Sequence, residues 1–159
     1  MTAVLSLGSN VGDRLAHLRA GVDILRAHVA VLAVSPVYAT APWGNAEQPE
    51  FLNCVAVVDT DDPERALAAA HAAEEARGRL RSLHWGPRSL DVDVIDVNGL
   101  VSDDPRLTLP HPRAHERAFV LRPWLDVDPD AEVAGYGPAR VLLARLDDDV
   151  RRTDESVCR

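Results

Sequence analysis

Asp91 and Asp93 stand two residues apart in an otherwise apolar run of Val92, Val94, Ile95 and Val97, at the end of Trp85-Gly-Pro-Arg-Ser-Leu-Asp-Val-Asp-Val94. On a strand, residues i and i+2 project from one face, roughly 7 Å apart. Two ionised carboxylates that close repel, and burying them unpaired is costly. A divalent cation, or a pair of them, resolves both problems, so Asp91 and Asp93 are read as metal ligands. The plainer alternative is a strand end with both acids in solvent, or an Asp capping a turn. Apolar flanks and Arg88, three residues upstream, favour the metal. In a magnesium–polyphosphate complex the metal meets protein oxygens and Arg meets the phosphates.

The basic residues sharpen this. All 17 are Arg, with no Lys in the chain. Walker-type P-loops and protein-kinase sites both place a Lys on the phosphates, so both are excluded. A polyphosphate here must be held by Arg forks, metal and backbone amides. Arg77, Arg79, Arg81 and Arg88 cluster around a Gly86-Pro87 loop. Each alone reads as a solvated helix end, with Glu74 and Glu75 as partners at helical spacing. Together, in a chain of net charge −8, they suit a loop that closes over a polyphosphate and stabilises developing charge.

Another group of residues suits a flat ring. Trp43 and Phe51 offer apolar faces, while Thr40 and Asn53 offer donors and acceptors for a planar heterocycle. Phe51 as core and Trp43 as a loop anchor is the simpler alternative. Asn53 in a β-branched run resists it, because a buried amide needs partners. His111 lies between Pro110 and Pro112, with no second ligand at metal spacing. No Gly-x-Ser-x-Gly or Cys-His arrangement points to a covalent nucleophile. Direct displacement on phosphorus fits better.

The elements that must hold these residues follow from periodicity. Residues 2–7 read as a strand ending in a Gly8-Ser9-Asn10 turn. Leu15, Leu18, Val22, Leu25 and Val29 keep one helical face, with Asp13 near its start. Residues 31–40 read as an edge or bulged strand interrupted by Pro36, and 41–50 as a long loop. Residues 51–60 form another strand, and Asp62-Pro63-Glu64 opens a helix running to about Leu80. Residues 91–97 form the last strand, followed by the hairpin signal Asn98-Gly99. Short helices are expected at 114–121 and after Pro138, then an acidic, frayed tail from about 147. The order predicts a single α+β domain over 1–159. Its expected form is a ferredoxin-like split βαβ sandwich, an antiparallel sheet with helices packed on one face and short C-terminal additions.

The chain resembles the 6-hydroxymethyl-7,8-dihydropterin pyrophosphokinases of folate biosynthesis. The likeness lies in Leu7-Gly-Ser-Asn10, Tyr38-Ala-Thr-Ala-Pro-Trp-Gly44, Gln48-Pro-Glu-Phe-Leu-Asn53, the stretch from Glu74 to Arg81, Trp85 to Asp93, and Leu107-Thr-Leu-Pro-His111 with Arg117 and Phe119. The resemblance implies transfer of the diphosphoryl group of ATP to the pterin hydroxymethyl group, giving AMP and the pterin diphosphate. It assigns two Mg2+ ions to Asp91 and Asp93, and catalysis to Arg79 and Arg88. Glu74, Arg81, Trp85, Arg106, Thr108, His111 and Arg117 fall where the family contacts ATP or closes the site. Thr40, Ala41, Pro42, Trp43, Phe51, Asn53 and Phe119 fall on the pterin side, the ring lying between Phe51 and Phe119. Ala41-Pro42-Trp43 replaces a common Pro-Pro-Leu, and Phe51 a common Tyr.

Another Asp-x-Asp metal-dependent nucleotide-using transferase is the main competing reading, and it would ignore a pterin. A ferredoxin-like binding module would tolerate loss of Asp91. The acidic balance and seven aromatic residues (Trp 3, Tyr 2, Phe 2) disfavour nucleic-acid recognition. Two cysteines, Cys54 and Cys158, suggest neither a disulfide framework nor zinc. No signal-like or membrane-spanning run is evident, so a cytoplasmic monomer acting on small molecules is expected.

Overall fold

Apolar residues alternate along the strand segments, and this alternation divides the molecule into two cores. A computed structural model describes residues 1–41, 49–76, 89–147 and 150–158. The order is β1 (Ala3–Ser9), α1 (Arg14–His28), β2 (Val31–Val34), β3 (Tyr38–Thr40), β4 (Phe51–Val58), α2 (Pro63–Ala76) and β5 (Asp91–Val97). A 3-10 turn (Ala114–Glu116), α3 (Ala118–Val127), β6 (Glu132–Val133), β7 (Gly137–Pro138), α4 (Ala139–Ala144) and β8 (Arg151–Arg152) follow. The main sheet runs β5-β1-β4-β3-β8, with β2 also on β4 and every pair antiparallel. This is the expected α+β split βαβ arrangement.

One face of the sheet presents Leu5 and Leu7 of β1, Cys54 and Ala56 of β4, and Val92 and Val94 of β5. On it lie α1, through Leu18, Val22 and Leu25, and α2, through Ala66, Ala69, Ala70 and Ala73. The Asp13 carboxylate caps α1 by accepting from the Ala16 amide at 3.0 Å. The helices were expected on this face only. The opposite face is also covered, by α3 and α4, with Val4, Val55 and Ile95 packed against Leu121, Trp124 and Leu142. The short additions therefore form a second core.

Other differences have local causes. Gly8 and Ser9 continue β1 instead of turning, because both pair with β4. The strand expected over 31–40 is split into β2 and β3. At the split, the Ser35 hydroxyl takes the Val55 amide at 2.9 Å in place of a strand carbonyl. Asn98 and Gly99 do turn, with φ of 50° and 71°, but among the described residues no strand follows to pair with β5. Ser102 bridges Leu109 instead. The stretch of α2 expected beyond Ala76 lies outside the described residues.

The tail is anchored, contrary to the expected fraying. β8 pairs with β3, and the Thr153 amide and hydroxyl both donate to the Val37 carbonyl at 2.9 Å. Arg19 holds the Ser156 carbonyl at 2.9 Å, and Val157 enters the α1/α2 core at 4% exposure. Val157→Ala should cost about 2 kcal/mol in urea unfolding; a frayed tail would give no change.

A register shift between Val4 and Leu5 sets Val4 opposite Asp96 and Leu5 opposite Val94, making Ile95 the extra residue of a bulge. Beyond it, Asp96 is buried, with one carboxylate oxygen accepting from the Gly99 amide at 3.3 Å. Burial, with Asp128 nearby, raises its pKa above the ordinary carboxylate value. The folded state therefore holds this proton more tightly than the unfolded one, and stability falls as pH rises through that window. Asp96→Asn should raise the unfolding midpoint at pH 7, and the gain should vanish below the ordinary carboxylate range. An equal gain at pH 3 and pH 7 would show that charge burial is not the cause.

Candidate active site

Pairing places polar residues of four strands on one face. Gly8 of β1 sits opposite Asn53 of β4 on one side and Asp91 of β5 on the other. Asn53 in turn faces Tyr38 of β3. Asp91, Gly8, Asn53 and Tyr38 therefore form a single rung across four strands. Ser6, two residues back, is paired with Asp93. These positions alternate with the leucines and valines of the α1/α2 core and so point away from it.

Gly8 keeps the rung open. A Cβ at this position would lie 2.9 Å from the Asn53 Oδ1 and 3.9 Å from the Phe51 ring. Asn53 is buried at 3% exposure, and its Nδ2 donates to the Thr40 hydroxyl at 3.0 Å. The amide is thereby oriented, with its oxygen beside the glycine. This arrangement answers the objection to a buried Asn on a β-branched strand.

Phe51, Thr40 and Ala41 on one side, and Arg117 and Phe119 at the start of α3 on the other, enclose a cavity of about 280 Å³. Ser6, Gly8, Asn53, Asp91 and Asp93 line the rest. An Arg117 amine nitrogen stands 3.8 Å from an Asp93 carboxylate oxygen, and its guanidinium lies 5.5 Å from the Phe119 ring centre. The cavity thus has an apolar, aromatic portion next to the Asn53–Thr40 pair and a charged end at Asp91, Asp93 and Arg117. His111 stands near this end, its backbone amide donating to Ile95 and its Nδ1 accepting from the Arg113 amide at 3.2 Å. Burial lowers its pKa, with Arg117 and Arg113 adding to the effect and Asp93 opposing it.

The two acids suit a metal that brings most of its own ligands. Among the described residues no group of three or more His, Cys, Asp or Glu could hold an ion. Two carboxylates are too few for a protein cage, yet they are what Mg2+ uses when phosphates and water complete its shell. Cys54, buried in the core with its thiol pushed up to about 12, is no candidate nucleophile.

Of the expected site residues, Thr40, Ala41, Phe51, Asn53, Asp91, Asp93, Arg117 and Phe119 converge on the cavity. Glu74 does not line it; buried, it accepts from the Val92 amide at 3.3 Å. Arg106 is exposed and bridges Glu64 at 3.0 Å and Asp104 at 3.2 Å. The Thr108 hydroxyl donates to the Asp104 carbonyl at 3.2 Å. Pro42, Trp43, Arg79, Arg81, Trp85 and Arg88 lie outside the described residues. Ser6 and Gly8 were not foreseen as site residues. Their signal exists only once β1 is aligned between β4 and β5.

Among the described residues no helix is long and apolar enough to cross a membrane. The family described as 7,8-dihydro-6-hydroxymethylpterin-pyrophosphokinase (HPPK) matches residues 4–129. A 2-amino-4-hydroxy-6-hydroxymethyldihydropteridine pyrophosphokinase of Mycobacterium tuberculosis (strain ATCC 25618 / H37Rv) is 48% identical over 158 residues, spanning 91% of this chain and 83% of its own. The Mycobacterium leprae enzyme of the same name is 50% identical over 159 residues, spanning 91% and 82%. A crystal structure of Plasmodium falciparum HPPK-DHPS wild type with pteroate superposes with a TM-score of 0.72 at 13% identity, covering 95% of this chain. This chain spans about half of that longer one, 47%. That likeness supports the fold; the family match and the mycobacterial relatives go further. The chain belongs to the 7,8-dihydro-6-hydroxymethylpterin-pyrophosphokinase family.

Proposed function

We propose that the cavity over Gly8 and Asn53 is where this chain brings together the two substrates of its family, ATP and 6-hydroxymethyl-7,8-dihydropterin. The activity is that of an ATP-dependent diphosphokinase of folate biosynthesis. The hydroxymethyl oxygen bonds to the β-phosphorus of ATP, the bond from that phosphorus to the α-bridging oxygen breaks, and AMP leaves with that oxygen. The hydroxyl proton passes to solvent. The observation that carries the assignment of the cavity is the Gly8 rung, which sets the oriented Asn53 amide in line with Asp91, with Asp93 and the Phe51 and Phe119 rings lining the same cavity.

In this reading the pterin ring lies between Phe51 and Phe119, and Asn53 and Thr40 read its edge. The fixed Asn53–Thr40 bond leaves the Asn53 oxygen free in direction to accept from a ring amine. Asp91 and Asp93 would hold Mg2+, two ions with ATP bound. Bound there, the metal would neutralise phosphate charge and lower the cost of ionising the attacking hydroxyl. Arg117 draws the phosphate chain toward the slot, and Arg79 and Arg88 stabilise charge on the transferred group. Glu74, Arg81, Trp85, Arg106, Thr108 and His111 serve the nucleotide or the closed site. With no covalent intermediate, catalysis rests on positioning and electrostatics. The enzyme works as a cytoplasmic monomer.

AMP formation from MgATP should depend on the hydroxymethyl pterin, and chelation of the metal should abolish it. Release at the same rate without pterin would favour another nucleotide-using transferase. Asp91→Asn and Asp93→Asn should each lower turnover at least about 100-fold while the proteins unfold at near wild-type temperatures. Near-normal turnover would remove that carboxylate from the metal site. Gly8→Ala should raise the KM for pterin about tenfold or more, because the added methyl displaces the Asn53 oxygen. A change confined to the KM for ATP would place the slot elsewhere.

A further inference from the structure

The slot walls belong to different elements, and something must set the distance between them. Thr40 ends β3, which is only three residues long. Phe119 and Arg117 stand at the start of α3, which packs on the sheet chiefly through β4. The hydrophobic effect behind that packing is non-directional, so a directional bond between the walls adds a constraint that burial alone does not supply. Such a bond joins the two walls: the Tyr38 phenol donates to the Asp126 carboxylate.

We propose that Tyr38 and Asp126 are positioning residues for the pterin, their hydrogen bond tying β3 to α3 and so setting the width of the slot. The inference rests on the reading of the cavity given above. Three observations support it. Tyr38 lies on the same rung as Asn53 and two residues before Thr40, so it shares their face. Asp126 follows Phe119 by seven residues, which returns to the same side of the helix about two turns on. Burial favours a persistent bond, against the nearby Arg152 and Arg122 guanidiniums, which favour the ionised phenol. The Tyr38 ring is buried at 4% exposure, while Arg152 of β8 is its cross-strand partner. Burial first, then the Asp126 carboxylate, push the phenol up to about 12, so it stays a donor throughout the working pH range.

Tyr38→Phe removes the hydroxyl and keeps the ring. Its KM for pterin, and its pterin dissociation constant measured by fluorescence titration, should rise about tenfold. The KM for ATP should stay within about twofold. Asp126→Ala should reproduce this pattern, and the double variant should be no worse than either single one. Asp126→Asn keeps an acceptor oxygen and should restore most of the pterin affinity. Because Asp126 is exposed, its Ala and Asn variants carry the test even where Tyr38→Phe folds poorly. An unchanged pterin KM in Asp126→Ala, or equal shifts in both KM values, would overturn the proposal. Asn53→Ala separates the two levels of inference. If it raises the pterin KM while Asp126→Ala does not, only the positioning role fails. If neither moves it, the slot itself is misassigned and the proposal falls with it.

Discussion

The antiparallel register of β1 between β4 and β5 is the constraint on which the rest depends. It sets Gly8 between Asn53 and Asp91, and Ser6 beside Asp93. Side chains alternate with a period of two, so a slip of one residue would exchange the faces of a strand. Asp91 and Asp93 would then point into the leucine and alanine core beneath α1 and α2, and Val92 and Val94 would face the cavity. The apolar core thus enforces the face on which the acids lie, since any slip by an odd number of residues would bury the carboxylates and expose the valines. Polar geometry is specified by hydrophobic burial on the reverse side of the same strands.

The cavity divides its work along the sheet. Its aromatic portion is built from side chains of different elements, while its charged end belongs to the edge strand and the start of α3. Arg117 links the two, lying near both Asp93 and Phe119. An Arg can serve both ends because its planar guanidinium stacks on a ring and still presents donors at its rim. In a chain without Lys, this role falls to Arg.

Much of the fold was legible because the signals were local. The helical spacing around Leu18, Val22 and Leu25, the Asp62-Pro63-Glu64 start and the β-branched run at 51–60 led to the right elements, while the run at 31–40 proved to be two strands. Asp91 and Asp93 stood out because acids interrupt an apolar strand. What escaped depends on pairing between distant segments. Gly8 resembles a turn residue until its neighbours across the sheet are known, and Ser6 carries no chemical signal of its own. The tail reads as acidic and polar, yet Val157 and backbone bonds from Thr153 decide its place. The second core escaped for a related reason: Val4, Val55 and Ile95 each come from a strand whose stronger apolar stripe faces the other way. The Asn98-Gly99 signal reported a real turn but not a partner strand, because turn chemistry is local and strand pairing is not.

The position of β5 at the margin of the sheet has one more consequence. An outermost strand ordinarily offers free peptide groups to a second copy, but on β5 the Val92 amide donates to Glu74 and the Ile95 carbonyl accepts from the His111 amide. Groups from α2 and from the His111 loop thus occupy positions at which another chain could pair with the strand. An edge whose bonds are met from within its own chain is a poor template for aggregation.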